Sequence, residues 1–92
     1  MLHLIEVNNK TVVSLVGTLK LLAVGAFGSA ILVAARDQDY IVYLAPQAAI
    51  LNLFWLHASL EQFQIGDTIR VHGTMNADAT IIAPIIRNIS IR

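Results

Sequence analysis

The sequence predicts an all-β fold, a small closed barrel with one helical turn. Three observations carry this. Residues Thr68 to His72 alternate: Ile69 and Val71 point one way, while Thr68, Arg70 and His72 point the other. Short segments rich in Val, Ile, Leu and Tyr recur along the chain, separated by Gly, Asn, Asp and Pro. A single capping signature interrupts them. Ser59 and Gln62 have the spacing of a capping box, in which the serine caps the first turn and the glutamine reaches back. Leu60 and Phe63 share one side of that turn, and Gly66 supplies the backbone that ends it.

Taken in order, Leu2 to Val7 is a short strand, broken by Asn8-Asn9-Lys10. Thr11 to Val24 is a long strand with Gly17 inside it, and an interior glycine marks a bend or bulge. Gly25 to Gly28 turns the chain into a strand from Ser29 to Arg36. Asp37-Gln38-Asp39 forms a tight hairpin, and Tyr40 to Leu44 returns. Ala45-Pro46-Gln47 stops that strand, because proline has no N–H for the ladder. Ile50 to His57 is a longer connection to the capped turn. Gly73 to Asp78 reads as a turn, and Thr80 to Ile91 as the closing strand. A long bent strand, a hairpin, a connection with a short helix and a second hairpin is the order of a five-stranded Greek-key OB barrel. The helix lies between barrel strands three and four and plugs the bottom. The 92 residues divide into an N-terminal strand or arm, 1–10, and the barrel, 11–92.

Composition narrows the function. Six basic and six acidic residues cancel, with no run of either sign, so no field favours nucleic acid or anionic lipid. With no cysteine there is no disulfide framework and no thiolate metal site. The chain is 57% hydrophobic and 13% charged, against roughly 45–50% and 25% in ordinary soluble domains. A barrel of this size cannot bury all of that surface. Ile41 to Leu60 carries no formal charge over twenty residues, a length near that of a membrane span. Pro46, Gln47, Asn52, His57 and Ser59, with strand-like alternation at its start, argue against a spanning helix. The N-terminus lacks the basic segment and long apolar core of an intact signal peptide.

Candidate chemistry is sparse. His3, His57 and His72 are not at metal-ligand spacing, and Asp37 and Asp39 lack the rest of a calcium loop. There is no nucleophile elbow and no glycine-rich phosphate loop. The expectation is no catalytic residue, no metal and no cofactor. Tyr40, Tyr43, Phe27, Phe54 and Trp55 could stack on bases, but between Lys20 and Arg70 the only cation is Arg36.

Five segments carry a resemblance: Val16-Gly-Thr-Leu, Asp39-Tyr-Ile-Val-Tyr-Leu, Ser59-Leu-Glu-Gln-Phe-Gln-Ile-Gly-Asp, Val71-His-Gly-Thr and Ile86-Arg-Asn-Ile-Ser-Ile. Over roughly residues 12 to 92 the chain resembles a bacterial OB-fold domain of unknown function. Such domains typically occur in exported or cell-surface proteins, so the resemblance implies an extracytoplasmic location. Its motifs are structural and imply no activity. Members usually carry Thr, Lys and Asp on the strand faces toward water. Here the alternation that turns Ile31, Val33, Tyr40, Val42, Ile81 and Ala83 inward turns Leu32, Ala34, Ile41, Tyr43, Ile82 and Pro84 outward. Leu53 to Leu56 of the connection cannot all be core. The candidate self-association residues are therefore Leu32, Ala34, Ile41, Tyr43, Phe54, Trp55, Ile82 and Pro84, since large exposed apolar patches mark interaction sites.

The leading expectation is a non-enzymatic structural protein whose partner is itself, as a homo-oligomer or extracellular filament. The alternative is an OB module that binds single-stranded nucleic acid, oligosaccharide or lipid. The N-terminal strand either pairs within its own chain or adds to a neighbour's edge.

Overall fold

The computed structural model describes residues 3–7 and 10–92. It contains six strands: β1 (His3–Val7), β2 (Lys10–Gly25), β3 (Gly28–Ala35), β4 (Gln38–Asn52), β5 (Thr68–Met75) and β6 (Ile81–Asn88). One 3-10 turn, Leu60–Gln62, lies between β4 and β5. The sheet order is β1-β2-β3-β4-β6-β5, and β5 also pairs with β2. Five strands therefore close into a barrel of OB topology, with β4 and β6 parallel and the other neighbours antiparallel. β1 pairs with β2 of its own chain, from His3 opposite Ser14 to Val7 opposite Lys10.

β2 closes the barrel because it serves two partners. Thr11 to Thr18 pair with β5, and Thr18 to Gly25 pair with β3. Gly17 sits at the exchange. A Cβ there would meet the Ala34 carbonyl oxygen and lie 2.6 Å from Val33 Cγ1, so only glycine lets β2 pass this close to β3. A bulge between Leu19 and Leu21 follows, and the strand bends.

Alternation fills the interior. Val13, Leu15 and Leu19 of β2, Ile31 and Val33 of β3, and Tyr40 and Val42 of β4 are buried. Ile69 and Val71 of β5 and Ile81, Ala83 and Ile86 of β6 complete the core. Ser59 forms the capping box: its Oγ accepts from the Glu61 N–H, and Gln62 Oε1 accepts from the Ser59 N–H at 2.9 Å. The turn so fixed drives Phe63 into the core and lays Leu60 against it.

Several boundaries differ from the sequence reading. The β3–β4 hairpin turns at Arg36 and Asp37, with Arg36 at φ of 59°, so Gln38 and Asp39 already belong to β4. Proline does not stop β4. Pro46 lies beyond the last residue paired with β3, Tyr43, and inside an irregularity of the β4–β6 ladder between Leu44 and Ala49, so no ladder donor is missing there. The connection from Ile50 is accordingly strand up to Asn52. Gly73 belongs to β5, not to a turn. It occupies a bulge between His72 and Thr74, where a Cβ would strike the Ile82 carbonyl oxygen. The closing strand ends at Asn88 rather than Ile91, because Asn88 Oδ1 accepts from Ser90 N–H and Ile89 N–H turns back to the Thr68 carbonyl.

Candidate functional site

Outward-facing residues align across strands through the register. One row runs Leu21, Leu32, Ile41 across β2, β3 and β4. The next runs Ala23, Ala30, Tyr43, Ile82 and Thr74, and returns to β2 at Val12. That stagger from Ala23 back to Val12 is the shear of a tilted barrel. Neither row contains a charged residue. Ile41, Tyr43 and Ile82 are 45%, 48% and 43% exposed, Pro84 is exposed, and Leu32 is half-buried. Ala34 is half-buried at the border of this face, opposite Thr18 on one side and Asp39 on the other.

The face is larger than alternation alone implies. The β2–β3 hairpin runs past the barrel rim, so Leu21, Val24 and Phe27 are exposed as well. The bulge at Lys20 reverses the parity of β2, which turns Leu21 outward. A run of Leu-Leu-Ala-Val has no alternation to reveal this. A shallow cleft of about 550 Å³ lies between residues 23–30 of the hairpin and Tyr43 and Leu44 of β4. Its lining is apolar except for Ser29 and the tyrosine hydroxyl. A smaller cavity of about 170 Å³ opens beside it, among Ser29, Leu44, Pro46, Ala48, Ile50 and Leu60.

Phe54 and Trp55 are exposed but sit elsewhere. Asn52 Oδ1 accepts from the Phe54 and Leu56 N–H groups, and Asn52 N–H donates to the Leu56 carbonyl, so the chain folds sharply back. Trp55 takes a left-handed backbone with φ of 64°, uncommon for a bulky residue. Its ring lies 3.8 Å from the guanidinium carbon of Arg87. Arg87 is five residues along β6 from Ile82 and is opposite Leu51 and Arg70. The aromatic loop therefore covers a basic part of the outer surface, while Leu32, Ile41, Tyr43 and Ile82 form the uncharged part.

His72 lies between Ser14 of β2 and Ile85 of β6, with Nδ1 3.2 Å from Ser14 Oγ and Nε2 buried without a partner. Burial first, then Arg70 and Arg87, hold its pKa below 6.5. Asp78 is held low by hydrogen bonds from the Thr80 hydroxyl and N–H. Among the described residues, no three metal-ligating side chains come together. Ile41 to Leu60, the uncharged stretch, is strand, sharp turn and the start of the 3-10 turn.

The chain matches no known family and no curated protein. What it can do must be read from its own surface. An uncharged apolar face across four strands offers contact area, and the clefts beside it hold no pair of groups suited to acid–base chemistry.

Proposed function

We propose that this protein is a non-enzymatic interaction module that associates with copies of itself through the outer face of β2, β3, β4 and β6. The observation that carries the reading is the pair of charge-free rows through Ile41 and through Tyr43 and Ile82. Leu21, Val24, Phe27, Ile41, Tyr43 and Ile82 together expose on the order of 600 Å² of side-chain surface, at the upper limit of what monomers show. Two such faces in contact bury on the order of 1,200 Å², the lower end of specific interfaces. A two-fold contact gives a dimer, and a head-to-tail contact gives a filament. An extracytoplasmic location belongs to the same reading and rests on the resemblance to exported OB-fold domains.

Sedimentation velocity at micromolar concentration tests the association. Species larger than one chain are expected, and replacing both Ile41 and Ile82 with lysine should reduce them to monomer while far-UV circular dichroism stays unchanged. A wild-type monomer across the concentration range overturns the reading. Electron microscopy separates dimers from filaments.

A second reading has one observation in its favour. The face lies on β3 and β4, the pair of strands on which OB barrels hold oligonucleotides and oligosaccharides. Salt-dependent binding of a fluorescent single-stranded oligonucleotide by a monomeric wild type would replace the first reading with this one.

A further inference from the structure

Two cations stand side by side on the outer surface of β5 and β6. Arg70 is directly opposite Arg87 in the antiparallel register. Like charges in that position destabilise a sheet. Arg87 is only 8% exposed. Its Nη2 donates to the Leu53 carbonyl at 2.8 Å, the Trp55 ring covers its guanidinium, and Nε has no acceptor. Burying a guanidinium with its Nε hydrogen bond unfilled and no paired anion is costly.

Among the described residues, the carboxylates with a hydrogen-bonded or strand partner are engaged elsewhere. The charges that act on neighbouring His72 are those of Arg70 and Arg87, both positive. Asp67 accepts from Asn88 Nδ2 at 2.7 Å and from the Gln64 N–H. Asp78 is bound to Thr80, and Asp39 is opposite Ala34 on β3. The other strand partners of the pair are Leu51 of β4 beside Arg87 and Val16 of β2 beside Arg70, both apolar, and Leu53 of the Trp55 loop donates its N–H to the Ile91 carbonyl of the C-terminal segment.

We infer that the Arg70–Arg87 pair, walled by Trp55, is a binding site for a doubly charged oxyanion of the phosphate or sulfate type. Two guanidinium groups match two negative charges; exposed Arg70 offers such oxygens a fork of parallel donors, and Arg87 adds the second positive charge beside it. A single carboxylate would neutralise half of the site. This inference is independent of the apolar face and stands whether or not the protein associates.

His72 is a built-in reporter. An anion between the arginines offsets the positive field on its ring and raises its pKa. The test is a proton NMR titration of the His72 ring in sodium sulfate, against sodium chloride at equal ionic strength. In wild type, millimolar sulfate should raise the His72 pKa by about half a pH unit beyond chloride. In Arg70→Gln the pKa should begin higher and ignore sulfate. Arg70 is exposed, so the variant should fold; Arg70→Lys, which keeps the charge and loses the fork, should respond more weakly than wild type. Equal responses to sulfate and chloride in wild type, or a sulfate response that survives in Arg70→Gln, overturn the site.

Discussion

Replacing Gly17 with alanine should damage the barrel out of proportion to one methyl group. The added Cβ would meet the Ala34 carbonyl oxygen and lie 2.6 Å from Val33 Cγ1. Backbone on one side and a core side chain on the other leave no flexible atom to yield, so β2 and β3 must separate. Overpacking of this kind costs about 1–3 kcal/mol, and each ladder bond weakened at the junction adds about 1 kcal/mol, giving about 3 kcal/mol in all. A domain of this size has a total stability of about 5–14 kcal/mol, so the loss is a large share of it. The same loss lowers the melting temperature by about 12–24 °C. Equilibrium urea unfolding followed by circular dichroism measures it, with Gly25→Ala as control. There the nearest atom to the new Cβ is the Gly28 carbonyl oxygen at 3.2 Å, at an exposed hairpin tip. A Gly17→Ala protein within about 0.5 kcal/mol of wild type, the range of ordinary surface changes, would refute the claim that close approach at this point closes the barrel.

Three further predictions use other parts of the molecule. The folded state holds His72 below its ordinary pKa of 6.5, so the unfolded chain binds more protons between that lowered value and 6.5. Stability from this group is full above that window and is lost as pH falls through it; His72→Asn should flatten the decline seen by urea unfolding between neutral and mildly acidic pH, and an unchanged slope would refute it. Trp55→Ala uncovers the Arg87 guanidinium and should cost about 1–2 kcal/mol in the same assay, with Trp55→Phe recovering most of it. Ser59→Ala removes the capping box at the 3-10 turn and should cost about 1 kcal/mol, with faster amide exchange at Glu61.

The parts of this fold that follow from alternation were legible in the sequence. Ile31 and Val33, Tyr40 and Val42, Ile69 and Val71, and Ile81 and Ala83 turn inward because a two-residue period leaves no other way to fill a barrel. The capping box at Ser59 was legible because its two hydrogen bonds are local. Pairing across the barrel was not. Pro46 looks like a stop until β4 is seen pairing with β6 on both sides of an irregularity that contains it. Gly73 looks like a turn until it is opposite the Ile82 carbonyl. The same limit applies to the surface. Arg70 and Arg87 are seventeen positions apart along the chain, and only the β5–β6 register makes them neighbours. Arg87 is buried because the loop after Asn52 folds over it, breaking the alternation that would have left it in water.

The placement of β6 has a consequence for how the molecule is made. It is inserted between β4 and β5, both of which precede it along the chain. As the polypeptide leaves the ribosome, the first four barrel strands emerge with two raw sheet borders still waiting for the same late arrival. Until it comes, Val42 and Val71 lie along an open seam, and the nascent chain is most vulnerable to a stray strand from another polypeptide. A slow step in synthesis just upstream of Ile81 would lengthen that interval, and a chaperone that holds extended apolar segments would shield the seam during it.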